Sequence, residues 1–350
     1  MTVTRLLASF VFIFVVFLAL GPVHSIVATE TVNRQAEKAM LPVSEQAREF
    51  IATTKAAPLD GPLTTQQAEQ MRQKIAEGSK GLTLLATHLQ CTVSDMQVGG
   101  VKVVRVAPRG ISPEQEDRVA LYIHGGGYVL KSALDITALL MVRQLNMPVY
   151  SIEYRLAPEH PFPAGLNDCM AVYKAFEERM QARKVVVFGG SAGGGLALAM
   201  LLQAKKEGLP MPSAVGLFSP WSDLSRTGDS YYANEGRDPV LSWKGNLEFF
   251  ASAYAGKANR KNPLLSPIHG TYEGFPPTLI ITGTRDLFLS NSVRLSRRMQ
   301  LAGVDAELRV WEAMFHGFDL MPDLPEGRQA RREMAEFLIQ AGKVEPQAAQ

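Results

Sequence analysis

A chain of 350 residues with 46% apolar side chains can bury a large core, and it suits one α/β domain with an accessory piece. Its 36 Lys and Arg stand against 34 Asp and Glu, so nothing indicates a polyanionic partner and no nucleic acid is expected. The two cysteines, Cys91 and Cys169, lie far apart without metal-ligand spacing and are expected to be buried free thiols, with a disulfide as the second reading.

At the N-terminus, Arg5 precedes an apolar run over residues 6–20, followed by Gly21-Pro22 and the small Ser25. A charged start, a short apolar core and a small-residue exit describe a secretory signal peptide over residues 1–25. The run is shorter than the ~20 apolar residues of a membrane span. An uncleaved N-terminal anchor is the second reading. The chain is therefore expected to be exported, periplasmic or secreted, or else to associate with the membrane through this segment.

Residues 26–90 read as a helical region. Ala47, Phe50 and Ile51, then Ala68, Met71 and Ile75, recur at helical spacing, and Pro58 and Pro62 break the pattern. Strand-like runs follow at residues 101–106, 119–123, 149–154, 185–188, 214–218, 279–282 and 307–311. Helical stretches at residues 164–181, 192–207, 290–302 and 328–341 alternate with them. This alternation predicts a mainly parallel sheet, covered on both faces, over residues 91–342. Residues 222–262 exceed what a crossover needs and read as an insertion. Residues 343–350 read as a flexible tail.

Two glycine-rich stretches carry the chemistry. Gly189-Gly190-Ser191-Ala192-Gly193 is a G-x-S-x-G sequence, in which the serine occupies a strained strand-to-helix turn. His124-Gly125-Gly126-Gly127 can aim backbone N–H groups at a developing oxyanion. Ser191 is the candidate nucleophile, and a serine hydroxyl needs an adjacent base. Of the six histidines, His316 suits best because it follows the last predicted strand by a short loop; His269 is second. His124 is expected to brace its own loop. Asp286, just beyond the 279–282 run, is the candidate acid that orients the imidazole, with Asp319 and Asp305 as alternatives. The order Ser191, Asp286, His316 is that of the α/β-hydrolases. Gly125, Gly126 and Ala192 are the candidate oxyanion-hole donors, and Ala192 also opens a helix whose dipole favours negative charge.

These residues and their surroundings resemble the hormone-sensitive-lipase-like branch of the α/β-hydrolases, the bacterial family IV esterases. The resemblance runs through the segment from Tyr122 to Tyr128, through Tyr154-Arg155-Leu156-Ala157-Pro158-Glu159-His160-Pro161-Phe162-Pro163-Ala164, and through Gly189 to Gly194. Ser219-Pro220-Trp221-Ser222-Asp223-Leu224, Asp238-Pro239-Val240-Leu241 and Asn262-Pro263-Leu264-Leu265-Ser266-Pro267 extend it. It implies an α/β-hydrolase fold: a mainly parallel eight-stranded sheet with helices on both faces. It also implies a helical cap built from the N-terminal segment and residues 222–262. The segment from Tyr154 to Ala164 would brace the site, Asp168 would support the serine turn, and Tyr128, Trp221 and Leu224 would line an acyl pocket. Three positions depart from the usual pattern: Gly190 stands where an aspartate is common, Glu153 replaces the aspartate before Tyr154-Arg155, and Leu287 replaces a proline after Asp286.

The expected activity is that of a serine carboxylester hydrolase. It would act on short- to medium-chain acyl esters or lactones through Ser191, His316 and Asp286, with an acyl-enzyme intermediate and no metal or organic cofactor. A lactonase, amidase or deacetylase would use the same triad. A non-catalytic ligand receptor on the same scaffold, as in plant gibberellin receptors, lacks the histidine that His316 supplies here.

Overall fold

The computed structural model describes residues 43–56, 59, 61–113, 116–179 and 184–341. The expected signal segment (residues 1–25) and tail (residues 343–350) lie outside the described residues. Eight strands form one sheet: β1 (Cys91–Val98), β2 (Val101–Pro108), β3 (Val119–Ile123), β4 (Val149–Ile152), β5 (Val185–Gly190), β6 (Ala214–Phe218), β7 (Thr278–Gly283) and β8 (Ala306–Trp311). Their order is β1-β2-β4-β3-β5-β6-β7-β8; β2 runs antiparallel to both its neighbours, and every other pairing is parallel.

Strand β1 is the element that the apolar runs did not announce. Most of its side chains are half-buried or exposed, so it lacks an apolar run. Its signal is the turn: Gly99 and Gly100 both have positive φ (59° and 78°), which suits a two-residue hairpin whose twist matches its strands.

The central strands explain the two cores. Leu121, Ile123, Val185 and Val187 enter one cluster with Val172 and Phe176 of the Ala164–Arg179 helix and Leu196 of the Ala192–Lys206 helix. Their alternating neighbours Ala120, Tyr122, Val186 and Phe188 enter the other, with Leu139 and Val142 of the Ile136–Leu145 helix and Met334 and Leu338 of the Pro325–Ala341 helix. Side chains alternate across a strand, so a strand covered on both faces must be apolar throughout. Replacing the fully buried Leu121 by alanine is expected to cost ~2–5 kcal/mol, read as a lowered urea midpoint. Cys91 and Cys169 are free and buried.

The parallel strands place the loops after β3, β5, β7 and β8 along one edge of the sheet, the edge where ligands of such sheets bind. Accessory elements hold these loops from outside. The Glu45–Thr53 helix is capped by Ser44, whose N–H and hydroxyl both donate to Glu326, and its Phe50 stacks on Phe315 at 4.6 Å. The Thr65–Gly78 helix starts with a Thr64–Gln67 capping box. The Lys80–His88 helix packs on β1 and on the Ile136–Leu145 helix. Within residues 222–262 lie a short helix (Ser230–Ala233), a π-turn (Trp243–Leu247) and the Glu248–Ala255 helix. Among the described residues no helix is long and apolar enough to cross a membrane.

Candidate active site

Ser191 is the hinge between β5 and the Ala192–Lys206 helix, with φ 56° and ψ −127°. A non-glycine residue in such a region stores on the order of 1–3 kcal/mol and persists only when its surroundings over-determine it. They do so here. The Ser191 N–H donates to the Phe218 carbonyl at 2.8 Å, and the Ser191 carbonyl accepts from the N–H groups of Trp221 (2.9 Å) and Gly195 (3.1 Å). Gly193 is the second residue of the helix, where a Cβ would overlap the Ile123 carbonyl oxygen and stand 2.5 Å from that of His124. The helix can therefore press against the end of β3 only with glycine at this place.

The turn presents the Ser191 hydroxyl to a histidine: His316 Nε2 lies 2.9 Å from Ser191 Oγ. On the other side of the ring, His316 Nδ1 is 3.1 and 3.2 Å from the two oxygens of Asp286. The Asp286 carboxylate is wholly buried and also accepts from the Phe288 N–H (2.7 Å) and the Thr282 hydroxyl (3.3 Å). Burial alone would lower the pKa of His316. The charge and hydrogen bond of Asp286 outweigh it, aided by Asp238 and Asp319, so the ring titrates above its ordinary value.

The alternatives separate cleanly. Asp305 is an exposed residue just before β8, at the opposite edge of the sheet, where its carbonyl pairs with Thr278. Asp319 is buried close by but makes no hydrogen bond to His316 among the described residues; burial pushes its carboxyl up to about 6 against the pull of Arg331. His269 ends a short 3-10 turn (Pro267–His269) and takes no part in the Ser191 contacts.

The His124–Gly127 loop lies directly against the serine. A Cβ on Gly125 would come within 2.9 Å of the Gly190 carbonyl oxygen and 3.2 Å of Ser191 Cβ. Among the described residues, no hydrogen bond engages the N–H groups of Gly125, Gly126 or Ala192. His124 braces this loop. Its Nδ1 is 2.9 Å from the Gly125 carbonyl, its ring stacks on Tyr154 at 4.2 Å, and Tyr154 Oη donates to the His124 carbonyl at 2.8 Å. Burial lowers the His124 pKa to about 4, so the ring is neutral at working pH.

A further brace comes from outside the sheet. Arg72, on the Thr65–Gly78 helix, donates to the Val129 carbonyl (Nε, 2.7 Å) and the Ala157 carbonyl (Nη2, 2.7 Å), and forks onto Glu159 at 2.7 and 3.1 Å. Nothing local in the sequence marks this residue, since its partners lie far along the chain.

Two assignments change. Tyr128, Trp221 and Leu224 are essentially unexposed: Tyr128 stacks on Tyr254 at 3.8 Å, Trp221 on Phe288 at 5.3 Å, and Leu224 packs in the same core. Large rings beside a site bury themselves when they find aromatic partners, and these three form core, not an open pocket wall. Asp168 does not reach the serine turn. Its carboxylate accepts from the Arg155 backbone and guanidinium at 2.8–3.1 Å, which fixes the start of the Tyr154–Ala164 segment instead.

Residues 120–320, more than half of the chain, match the family described by the alpha/beta hydrolase fold. The chain belongs to this family. An acetyl-hydrolase of Streptomyces hygroscopicus is 34% identical over 228 residues, covering 64% of this chain and 76% of the relative. An esterase of Acinetobacter venetianus is 30% identical over 63% of this chain and 74% of its own length. Among solved structures, the esterase E25 superposes with a TM-score of 0.76 at 32% identity, over 89% of this chain and 98% of that one. An esterase described as a member of the bacterial hormone-sensitive lipase family gives 0.72 at 30% identity, over 86% and 99%. The esterase EstE5, soaked with p-nitrophenyl butyrate, gives 0.74 at 29% identity over 86% and 98%. The chain is thus a hormone-sensitive-lipase-like α/β-hydrolase, an enzyme of the esterase type.

Proposed function

We propose that this hydrolase cleaves short- to medium-chain acyl esters or lactones through an acyl-enzyme on Ser191. The observation that carries the reading is the 2.9 Å approach of Ser191 Oγ to His316 Nε2, with Asp286 behind the ring. His316 takes the hydroxyl proton as Oγ attacks the acyl carbon. Asp286 favours the imidazolium that results, and the N–H groups of Gly125, Gly126 and Ala192 receive the negative oxygen. The imidazolium then protonates the departing alcohol oxygen. Water, activated by the same ring, attacks the acyl-serine, and the Ser191 oxygen leaves with a proton from His316.

The test is hydrolysis of p-nitrophenyl esters of rising acyl length beside a panel of lactones, with labelling by a serine-directed fluorophosphonate. The expected result is turnover that peaks among the shorter acyl chains, and a single label on Ser191. Absence of both turnover and label would overturn the reading. The soaked p-nitrophenyl butyrate of EstE5 and the acetyl-hydrolase name of the Streptomyces relative support the choice of substrates.

His316 must be neutral to accept a proton, so kcat/KM is expected to fall as the pH drops through its pKa. Because that pKa is raised, the midpoint of the acidic limb should lie above the ordinary 6.5. The sign for stability is opposite: the His316–Asp286 pair stabilises the fold below the unfolded histidine pKa, and its contribution fades as the pH rises through the folded value. Rate profiles and urea midpoints between pH 5 and 9, a span set by ordinary histidine titration, check both. An acidic limb centred below 6.5 would mean that burial wins over the carboxylates.

The apolar run of residues 6–20 adds export to this proposal. N-terminal sequencing of enzyme from the extracytoplasmic fraction is expected to start at residue 26.

A further inference from the structure

The loop that carries Asp286 is gripped from the 222–262 insertion by three buried polar side chains spaced four residues apart. Ser230 Oγ donates to the Leu287 carbonyl at 2.6 Å. Asn234 Nδ2 donates to the carbonyls of Thr284 (3.1 Å) and Asp286 (2.9 Å). Asp238 accepts the Leu287 N–H on one oxygen (3.1 Å), and the N–H groups of Val240 (2.9 Å) and Leu241 (3.2 Å) on the other. All three residues are nearly inaccessible, with Asp238 only 2% exposed.

The choice of a carboxylate at residue 238 is informative. Three N–H donors converge on two oxygens, so an asparagine would turn its own amide hydrogens on one of them. No lysine or arginine pairs with Asp238 among the described residues, although an unpaired buried charge is costly. The ionisable groups that face it are Asp286, which repels its charge, and His316, which attracts it. His316 in turn is faced by Asp286, Asp238 and Asp319, and Asp319 by Arg331 and Lys131. Burial and Asp286 push the Asp238 carboxyl up to about 7, while His316 and the N–H groups of Val240 and Leu287 pull it down.

We propose that Asp238 is a positioning residue for the reaction: through the Leu287 amide it fixes the loop that bears Asp286, and its charge favours the imidazolium form of His316. This rests on His316 acting as the base for Ser191. A purely structural clamp would affect only how much protein folds; the proposed role also moves the titration of the base.

The experiment compares the full chain with Asp238→Asn, Asp238→Glu and Asn234→Ala in p-nitrophenyl acetate hydrolysis across pH, with rates counted per fluorophosphonate-labelled serine. Asp238→Asn is expected to lose about tenfold or more in kcat with KM little changed, and its acidic limb should move to lower pH. Asp238→Glu keeps the charge but displaces it, so its limb should stay while kcat falls. Asn234→Ala loosens the loop without touching charge, and its limb should also stay. Wild-type kcat per labelled site with an unmoved limb in Asp238→Asn would overturn the proposal. Should that variant not fold, undiminished kcat per site in Asp238→Glu would overturn it equally. Wild-type protein that neither labels nor turns over would remove the esterase reading itself, which distinguishes the two failures.

Discussion

Ser191→Ala is expected to lower kcat for ester hydrolysis by ~10⁶-fold and to abolish fluorophosphonate labelling, while the circular dichroism spectrum stays that of the wild type. The size follows from how the groups act as a unit. Without the oxygen 2.9 Å from His316 Nε2 there is no acyl-enzyme, and the base has nothing to activate in the first step. His316→Ala should fall to the same floor, since an unactivated hydroxyl is as ineffective as none. Asp286→Ala should lose less, ~10⁴-fold, because the imidazole can still accept a proton from a poorer orientation. The double variant Ser191→Ala, His316→Ala should be no worse than either single one; further losses in it would show that the two residues act independently. The fold should hold because one surface-adjacent hydrogen bond is worth only ~1 kcal/mol, while the backbone contacts of Ser191 to Phe218, Trp221 and Gly195 remain.

Gly193→Ala is expected to be the most damaging small substitution in the site. Its methyl group would overlap the Ile123 carbonyl and crowd that of His124, and both obstacles are backbone with no rotamer to yield. Relief requires the serine-bearing helix and the end of β3 to separate. Overpacking of this kind costs ~3 kcal/mol or more. The same separation draws Gly125 and Gly126 away from Ser191, so protein that folds should lose a further ~10²–10³ in kcat/KM, the cost of a displaced oxyanion donor. Gly190→Ala is the matched control. A Cβ there meets only Phe218 Cβ and its carbonyl oxygen, at 3.7 Å, an ordinary contact. Its urea midpoint should therefore stay within ~1 kcal/mol of the wild type. Equal stability of the two variants would contradict the close approach at Gly193.

That contrast also shows which parts of the site were legible in the sequence. Gly193 is a glycine because β3 leaves no room, and such local constraints write motifs. The serine turn, the His124–Gly127 loop, and the chain order of Asp286 and His316 are all of that kind, each fixed within a few residues of a strand end. Gly190 carries no such constraint, so its departure from the family pattern costs the fold nothing and marks a place open to change. What stayed hidden is long-range. Arg72 finds its acceptors beyond residue 128, and Asp238 reaches Leu287 across the Asp286 loop. A lone arginine on a helix face or a lone aspartate in a loop looks the same whether it is solvated or clamped. Trp221 and Leu224 failed for a related reason. An apolar residue beside a site is equally suited to pocket and core, and only the positions of Phe288 and Tyr231 decide between them. Strand β1 escaped because an edge strand with few buried side chains has no apolar run to betray it.

The ties made by Arg72, Phe50 and Ser44 bear on what the smallest working enzyme is. The stretch matched by the family, residues 120–320, contains both glycine loops, Asp286 and His316. It contains neither the guanidinium that pins Val129 and Ala157, nor the ring stacked on Phe315 next to His316, nor Glu326, to which the first described helix is fastened. A fragment trimmed to that stretch would carry every residue of the proposed triad and lack the struts on both sides of it. The smallest working enzyme therefore extends past that stretch on both sides, because the flanks hold from outside the loops on which the chemistry depends.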